Sequence, residues 1–139
     1  MSVLESVSDR KREGLARSFL ESKLNCRAIN MPQFSPVDCL LIKDKLKVGV
    51  EFKFRNVDYN DYPTIWLEEA KQLALVECKA VWDKAYFMPC FNGTLYRIEV
   101  LETIGEKRET GGRYDRGIDD IDLMVAIPMD KLERVGKIW

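Results

Sequence analysis

A glutamate and a lysine stand two residues apart in the run LKVGVEFKFR (Leu46–Arg55), as Glu51-Phe52-Lys53. The run alternates with the period of a β-strand: Leu46, Val48, Val50, Phe52 and Phe54 on one side, Lys47, Gly49, Glu51, Lys53 and Arg55 on the other. On such a strand Glu51 and Lys53 leave the same face about 7 Å apart, while the apolar set anchors the strand in a core. A carboxylate beside an ammonium suits metal-assisted hydrolysis. The carboxylate holds the ion, and the lysine positions or deprotonates a water and offsets phosphate charge. The plain alternative is a solvated strand face, common wherever a sheet has one wet side.

Asp38 weighs against that alternative. It stands near the start of the otherwise apolar VDCLLIK (Val37–Lys43), just after a loop containing Pro32 and Pro36. Only a short turn, Lys43–Lys45, separates this strand from the one bearing Glu51, so pairing of the two as neighbours would bring the carboxylates together. Two converging carboxylates form an oxygen-rich pocket for a hard cation such as Mg²⁺. Taken singly, Asp38 could instead cap the strand through backbone amides.

The 139-residue chain contains no histidine. That removes Ser-His-Asp and Cys-His hydrolases, imidazole-dependent nucleases and His-ligated zinc enzymes, leaving carboxylates, lysines, tyrosines or a carboxylate-held metal. The net charge of −1 is neutral ground for nucleic-acid binding, since a carboxylate metal site itself lowers the balance. Four cysteines (26, 39, 78 and 90) form no CxxC pair and read as small hydrophobes in a reducing compartment, with Cys39 and Cys78 on buried positions. No apolar run reaches bilayer length, and the first nine residues lack the pattern of a secretory signal. The cytoplasm is the expected location, with no membrane association.

These residues need elements to position them. Asp9–Leu24 reads as an amphipathic helix capped by Ser8, with Ala16, Phe19, Leu20 and Leu24 on one face, Glu13 at its edge and Glu21 pointing away. A short strand over Cys26–Met31 precedes the two carboxylate strands. The polar loop Asn56–Tyr62 ends at Pro63, which predicts a helix to about Trp82. Ala85–Phe91 and Thr94–Leu101 form a hairpin around Asn92-Gly93. A Gly- and Arg-bearing loop, Gly105–Gly117, then leads to a strand near Leu123–Ile127, a break at Pro128 and a short helix over Asp130–Val135. On the Pro63–Trp82 helix, Leu67, Ala70, Ala74, Cys78 and Val81 form an apolar stripe, and Lys71 falls inside it. A lysine there is unusual unless it is paired or snorkels outward. Contact with phosphate or with the carboxylate cluster is the functional reading.

The run Pro36-Val37-Asp38, a spacer of 12 residues, then Glu51-Phe52-Lys53, resembles the PD-(D/E)XK nuclease signature on adjacent strands. The sequence is similar in particular to small bacteriophage-type members, which share a Tyr/Pro/Thr stretch (Tyr59, Tyr62, Pro63, Thr64), a following helix with a lysine (Lys71), and endings like Gly111-Gly112-Arg113, Asp115-Arg116-Gly117, Asp120 and Ile127-Pro128. The likeness runs from about Asp9 to Val135. It departs at Val37, which separates Pro36 from the aspartate. The resemblance implies an α/β fold, a restriction-endonuclease-like αβββαβ core with a mixed central sheet flanked by helices. Residues 1–139 would form a single nuclease domain, with the core at about 9–101 and a loop-strand-helix extension over 102–139.

It further implies hydrolysis of DNA, endonucleolytic and Mg²⁺-dependent with Mn²⁺ as a substitute, leaving 5′-phosphate and 3′-hydroxyl ends. Asp38, Glu51 and the Phe52 backbone carbonyl would hold the ion, with Glu13 completing an acidic shell. Lys53 would orient the water and Lys71 support the phosphate. Arg113 and Arg116 could grip the nucleic-acid backbone, since guanidinium forks suit phosphate. Tyr59 and Tyr62 could stack on bases, although packing suits them better. A near-neutral chain of this size could require a homo-oligomer or larger assembly to hold DNA, in the host cytoplasm if it is of phage origin. Two other readings stay open: a catalytically silent relative that binds nucleic acid or protein as a regulatory module, and a domain with no nucleic-acid role.

Overall fold

The computed structural model describes residues 7–102, 104–110 and 122–139. Among these, helix α1 (Val7–Leu24) leads into strand β1 (Arg27–Asn30), followed by β2 (Cys39–Lys43) and β3 (Leu46–Arg55). Strand β4 (Thr64–Glu68) runs directly into α2 (Glu69–Glu77) and a 3₁₀ turn, Cys78–Ala80. Then come β5 (Lys84–Phe91), β6 (Thr94–Glu99), β7 (Glu106–Thr110), β8 (Asp122–Pro128), a second 3₁₀ turn, Met129–Lys131, and β9 (Glu133–Lys137).

The strands form a six-stranded sheet of order β1-β2-β3-β5-β6-β9 and a three-stranded sheet of order β4-β8-β7. The large sheet is mixed. β2 and β3 are antiparallel across the two-residue turn Asp44-Lys45, whereas β3 and β5 run parallel, from Val48↔Lys84 to Arg55↔Phe91. Parallel neighbours need a crossover, here made by β4 and α2.

Apolar alternation sets the layers. Val48, Val50 and Phe52 of β3 join Cys39, Leu41, Met88 and Leu95 beneath Ala16 and Leu20 of α1. On the opposite side Ala85 and Phe87 of β5 pack with Leu75 of α2, Ile65 and Leu67 of β4, and Val125 and Ile127 of β8. The large sheet therefore lies between α1 and a second layer made of α2 and the small sheet. The face of β3 that carries Glu51 and Lys53 looks into this second layer, so Glu51 is buried and Lys53 half-buried, while Lys47 and Arg55 at the strand ends stay exposed.

The Asn92-Gly93 turn forms as expected, both residues having left-handed φ (46° and 86°) between Phe91 and Thr94. Beside it the chain end folds back: the Ile138 N–H donates to the Gly93 carbonyl at 2.6 Å, and the Trp139 ring stacks on Phe54 at 6.2 Å between centroids.

Several expected elements differ. The helix predicted from Pro63 begins only at Glu69, because Thr64–Glu68 is drawn into a ladder with β8 (Ile65↔Ile127, Leu67↔Val125). Val81 is 77% exposed, and the buried residues of α2 are Gln72 and Leu75, so the expected apolar stripe is not its core face. The charged stretch Glu106–Thr110, expected as loop, is a strand beside β8. Asp130–Val135, expected as a helix, is instead a 3₁₀ turn and then β9, which pairs with β6; Gly136 there lets Phe19 of α1 approach the backbone. Residues 122–139 are thus woven into both sheets rather than appended. Helix α1 starts at Val7, so Ser8 lies inside it. Cys39 and Cys90 are buried and Cys78 is half-buried, all as free thiols. No helix among the described residues is long and apolar enough to cross a membrane.

Candidate active site

The two acids meet where the β2–β3 ladder ends. Its last pair is Cys39↔Val50, and one further step sets Asp38 against Glu51. There the backbone leaves the ladder pattern. The Asp38 N–H donates to the Val50 carbonyl at 2.8 Å, and the Asp38 carboxylate accepts the Phe52 N–H at 2.7 Å. A side chain thus replaces a backbone acceptor, which pins the carboxylate on the edge of β3 beside Glu51. A residue in an extended strand sends its N–H and C=O to the same edge. The Phe52 carbonyl therefore faces Asp38 as well.

Glu51 is buried, with only 9% of its side chain exposed. Burial, then the charge of Asp38, push its carboxyl up to about 7, against an opposing pull from Lys71; a hydrogen bond between the two acids raises it further. Lys71 Nζ lies 2.8 Å from Glu51 Oε2. Burial alone would lower the Lys71 ammonium, but Glu51, helped by Glu68 and Asp38, outweighs it and holds the amine above its usual range. Lys71 reaches this carboxylate from the first turn of α2 with 47% of its side chain exposed. Its place comes from the β4–α2 junction rather than from a core stripe.

Lys53 points into the second layer and donates to the Trp66 carbonyl of β4 at 2.7 Å. Burial, followed by the cations Arg55 and Lys71, lowers it to about 8. A cavity of about 150 Å³ joins Lys53, Glu51, Lys71 and Glu68. It lies beside an open cleft of about 770 Å³ lined by Asp38, Glu51 and Lys71. Glu13 of α1 is buried on the wall of that same cleft. Arg113 and Arg116 lie outside the described residues. Tyr59 is packed, stacking on Tyr96 at 4.4 Å and donating to the Met129 carbonyl, while Tyr62 is exposed.

The lining also includes charged residues that the sequence did not single out. Glu68 borders both cavities, and Arg10 and Arg17 of α1 add positive charge to the cleft wall. Glu68 was hidden because its segment reads as mid-helix. The arginines sit on the polar side of an amphipathic pattern, where charge carries no signal.

Among the described residues no three His, Cys, Asp or Glu side chains gather as a metal cluster. The donors on offer are two carboxylates and the Phe52 carbonyl, all hard oxygens, with water to complete the shell, which is how Mg²⁺ is commonly held. Holding two acids in hydrogen-bond contact raises the cost of ionising Glu51, and a cation between them would relieve it. The residues fit such an ion.

A family model described as "Phage putative PDDEXK endonuclease" matches residues 2–135. Among solved structures, the chain is similar to the Holliday junction resolvase Hjc of Archaeoglobus fulgidus, with TM-score 0.56 and 15% identity over 84% of each chain. At that identity the likeness is one of fold. No curated protein matches the chain.

Proposed function

The chain belongs to the phage PD-(D/E)XK endonuclease family, and from that premise we propose that it cuts DNA internally by Mg²⁺-dependent hydrolysis at Asp38 and Glu51. The reading rests on one observation above all: two carboxyls set side by side where the β2–β3 ladder ends, at the mouth of an open cleft, with Lys71 on one of them and Lys53 on the same strand face. The name of the fold relative, a junction resolvase, adds weight to DNA as the substrate.

A divalent ion held by Asp38, Glu51 and the Phe52 carbonyl would polarise the phosphate and acidify a bound water. The remaining work falls to the chain itself. Asp38, fixed by the Phe52 N–H, needs no reorganisation to present its second oxygen. An ammonium has three donors, and Lys53 uses one on the Trp66 carbonyl, leaving the others to orient the attacking water and meet a phosphate oxygen. Lys71, half-exposed, can turn from Glu51 toward the incoming phosphate. Glu13 on the cleft wall adds acidic charge to the shell. The cytoplasm is the natural place of action, and a homo-oligomer is a natural means of gripping a long substrate.

The test uses supercoiled plasmid, which has no ends for an exonuclease, with Mg²⁺, Mn²⁺ or EDTA. Wild type should nick it only with metal. Glu51→Ala and Lys53→Ala should each lose at least about 100-fold, the size typical of removing a proton-handling or charge-stabilising group. Equal rates in all three proteins would place the activity elsewhere. DNA binding without cleavage under every condition would instead mark a silent binding module.

A further inference from the structure

We propose that Phe34 is a base-stacking residue that makes the cleft select DNA interrupted next to the scissile phosphate, such as a branch, gap or single-stranded flank. The inference rests on the nuclease reading above and adds its substrate class.

Phe34 is 88% exposed, the most exposed of the large apolar residues among those described, so its ring adds almost nothing to either core. The chain around it is nevertheless held. The Ser35 N–H donates to the Pro32 carbonyl at 2.8 Å, closing a tight turn with Phe34 in its third position. The Val37 N–H donates to the Ser35 hydroxyl at 3.3 Å, and Pro32 and Pro36 stiffen the backbone on both sides. An aromatic ring presented to solvent on a braced turn is preorganised for a planar partner.

Its position names that partner. Phe34 lines the same cleft as Asp38 and Glu51. It stands four positions before Asp38 in the chain, a reach of at most about 14 Å. At about 3.4 Å per nucleotide along a stacked strand, the ring meets a base within roughly four nucleotides of the phosphate at the acids. Arg10 and Arg17 of α1 line the same cleft, Arg17 donating to Asn30 just before this turn at 3.3 Å, and their guanidinium groups offer forks to the backbone of that strand. In an uninterrupted duplex every base face there is already covered, and opening a step costs free energy. At a discontinuity a base face is available, and an aromatic side chain takes it up irrespective of sequence.

The experiment compares cleavage of a continuous duplex with that of the same sequence carrying a branch or gap, by wild type, Phe34→Ala and Phe34→Trp. Loss of one base–aromatic stack should raise KM for the interrupted substrate by roughly 5- to 100-fold in Phe34→Ala. KM for the continuous duplex should move by far less than that, and Phe34→Trp should restore the preference. In a Glu51→Ala background, which removes turnover, 2-aminopurine in the exposed flank should change its fluorescence on binding with Phe34 present and not with Ala. Cleavage by wild type with no preference for the interrupted substrate, or with a preference that survives Phe34→Ala, overturns the stacking role and leaves the nuclease reading standing. An equal loss on both substrates also overturns it, since the ring would then serve grip rather than selection. No cleavage of any DNA overturns both.

Discussion

Glu51 faces a conflict that fixes its pH behaviour. Burial and the neighbouring Asp38 hold its carboxyl near 7 rather than the ordinary 4.5, while Lys53, buried among cations, is lowered to about 8. Activity that needs an ionised Glu51 and a charged Lys53 should therefore be bell-shaped, with flanks near 7 and 8. The acid flank should move to lower pH as Mg²⁺ is raised, because an ion favours the carboxylate. Lys53→Arg, which stays charged, should remove the alkaline flank of whatever activity remains; a pH–rate series at several Mg²⁺ concentrations checks all three. Stability follows the same groups. The unfolded chain releases the Glu51 proton at about 4.5 and the folded chain keeps it to about 7, so stability from this group is full below 4.5 and is lost as pH climbs to 7. The unfolded chain keeps the Lys53 proton to about 10.5, whereas the folded chain sheds it near 8, so the cost of burying that ammonium fades between 8 and 10.5. Without metal, Glu51→Gln should accordingly melt several degrees above wild type at pH 7–8, while losing cleavage. A lower melting temperature for Glu51→Gln would mean that the ion pair with Lys71 outweighs the repulsion from Asp38.

At the scale of elements, Gly49 shows how closely β3 is fitted. A Cβ there would stand 2.9 Å from the Trp82 ring and 3.1 Å from a methyl of Val37, the residue before Asp38. Gly49→Val should cost about 1–3 kcal/mol in urea unfolding and also slow cleavage, since the strain is delivered next to the acid. The pairing of β2 with β3 was legible in the sequence because period-2 alternation and a short charged turn leave few other arrangements. The junction at Glu68 was not. Ile65 and Leu67 are buried in a strand, but Pro63 suggested a helix start, and Leu67 then read as the first residue of a helical stripe. Partners 60 residues away in β8 decided the outcome, and no local signal carries them. The β7 run EKRET has no apolar alternation at all, being an edge strand held by β8. For β9, Gly136 stands just past the expected helix end, where glycine commonly stops a helix, so it gave no warning of the strand; close packing on Phe19 requires it there. Strand period put Glu51 and Lys53 on one face and the short turn set Asp38 beside Glu51, as the structure has them, but a role for the three came only from the resemblance to a nuclease family. Lys71 was singled out from a stripe that does not form, and it reaches Glu51 from a different helix start.

For the molecule as a whole, a net charge of −1 supplies no general attraction for phosphate, so the proposed grip on DNA falls to local cations. The cations lining the cleft among the described residues are Arg10, Arg17 and Lys71. Binding of duplex DNA should then fall with salt at a log–log slope of roughly −3 from these side chains, shallow for a DNA-binding protein. A much steeper slope would place the grip on other surfaces or on a second subunit. The layering was only half visible beforehand: a sheet flanked by helices was expected, but the second flank is a helix together with a three-stranded sheet. Burial raises the thiols of Cys39 and Cys90 to about 12 and about 11, so both should stay inert. The melting temperature should be the same with and without reductant. The indole at position 139 has a use beyond packing, since it lies on Phe54 and Phe54 borders the cleft. With Trp66 and Trp82 replaced by Phe, its emission becomes a label-free optical gauge of occupancy, sensing arrival of DNA before any bond is cut.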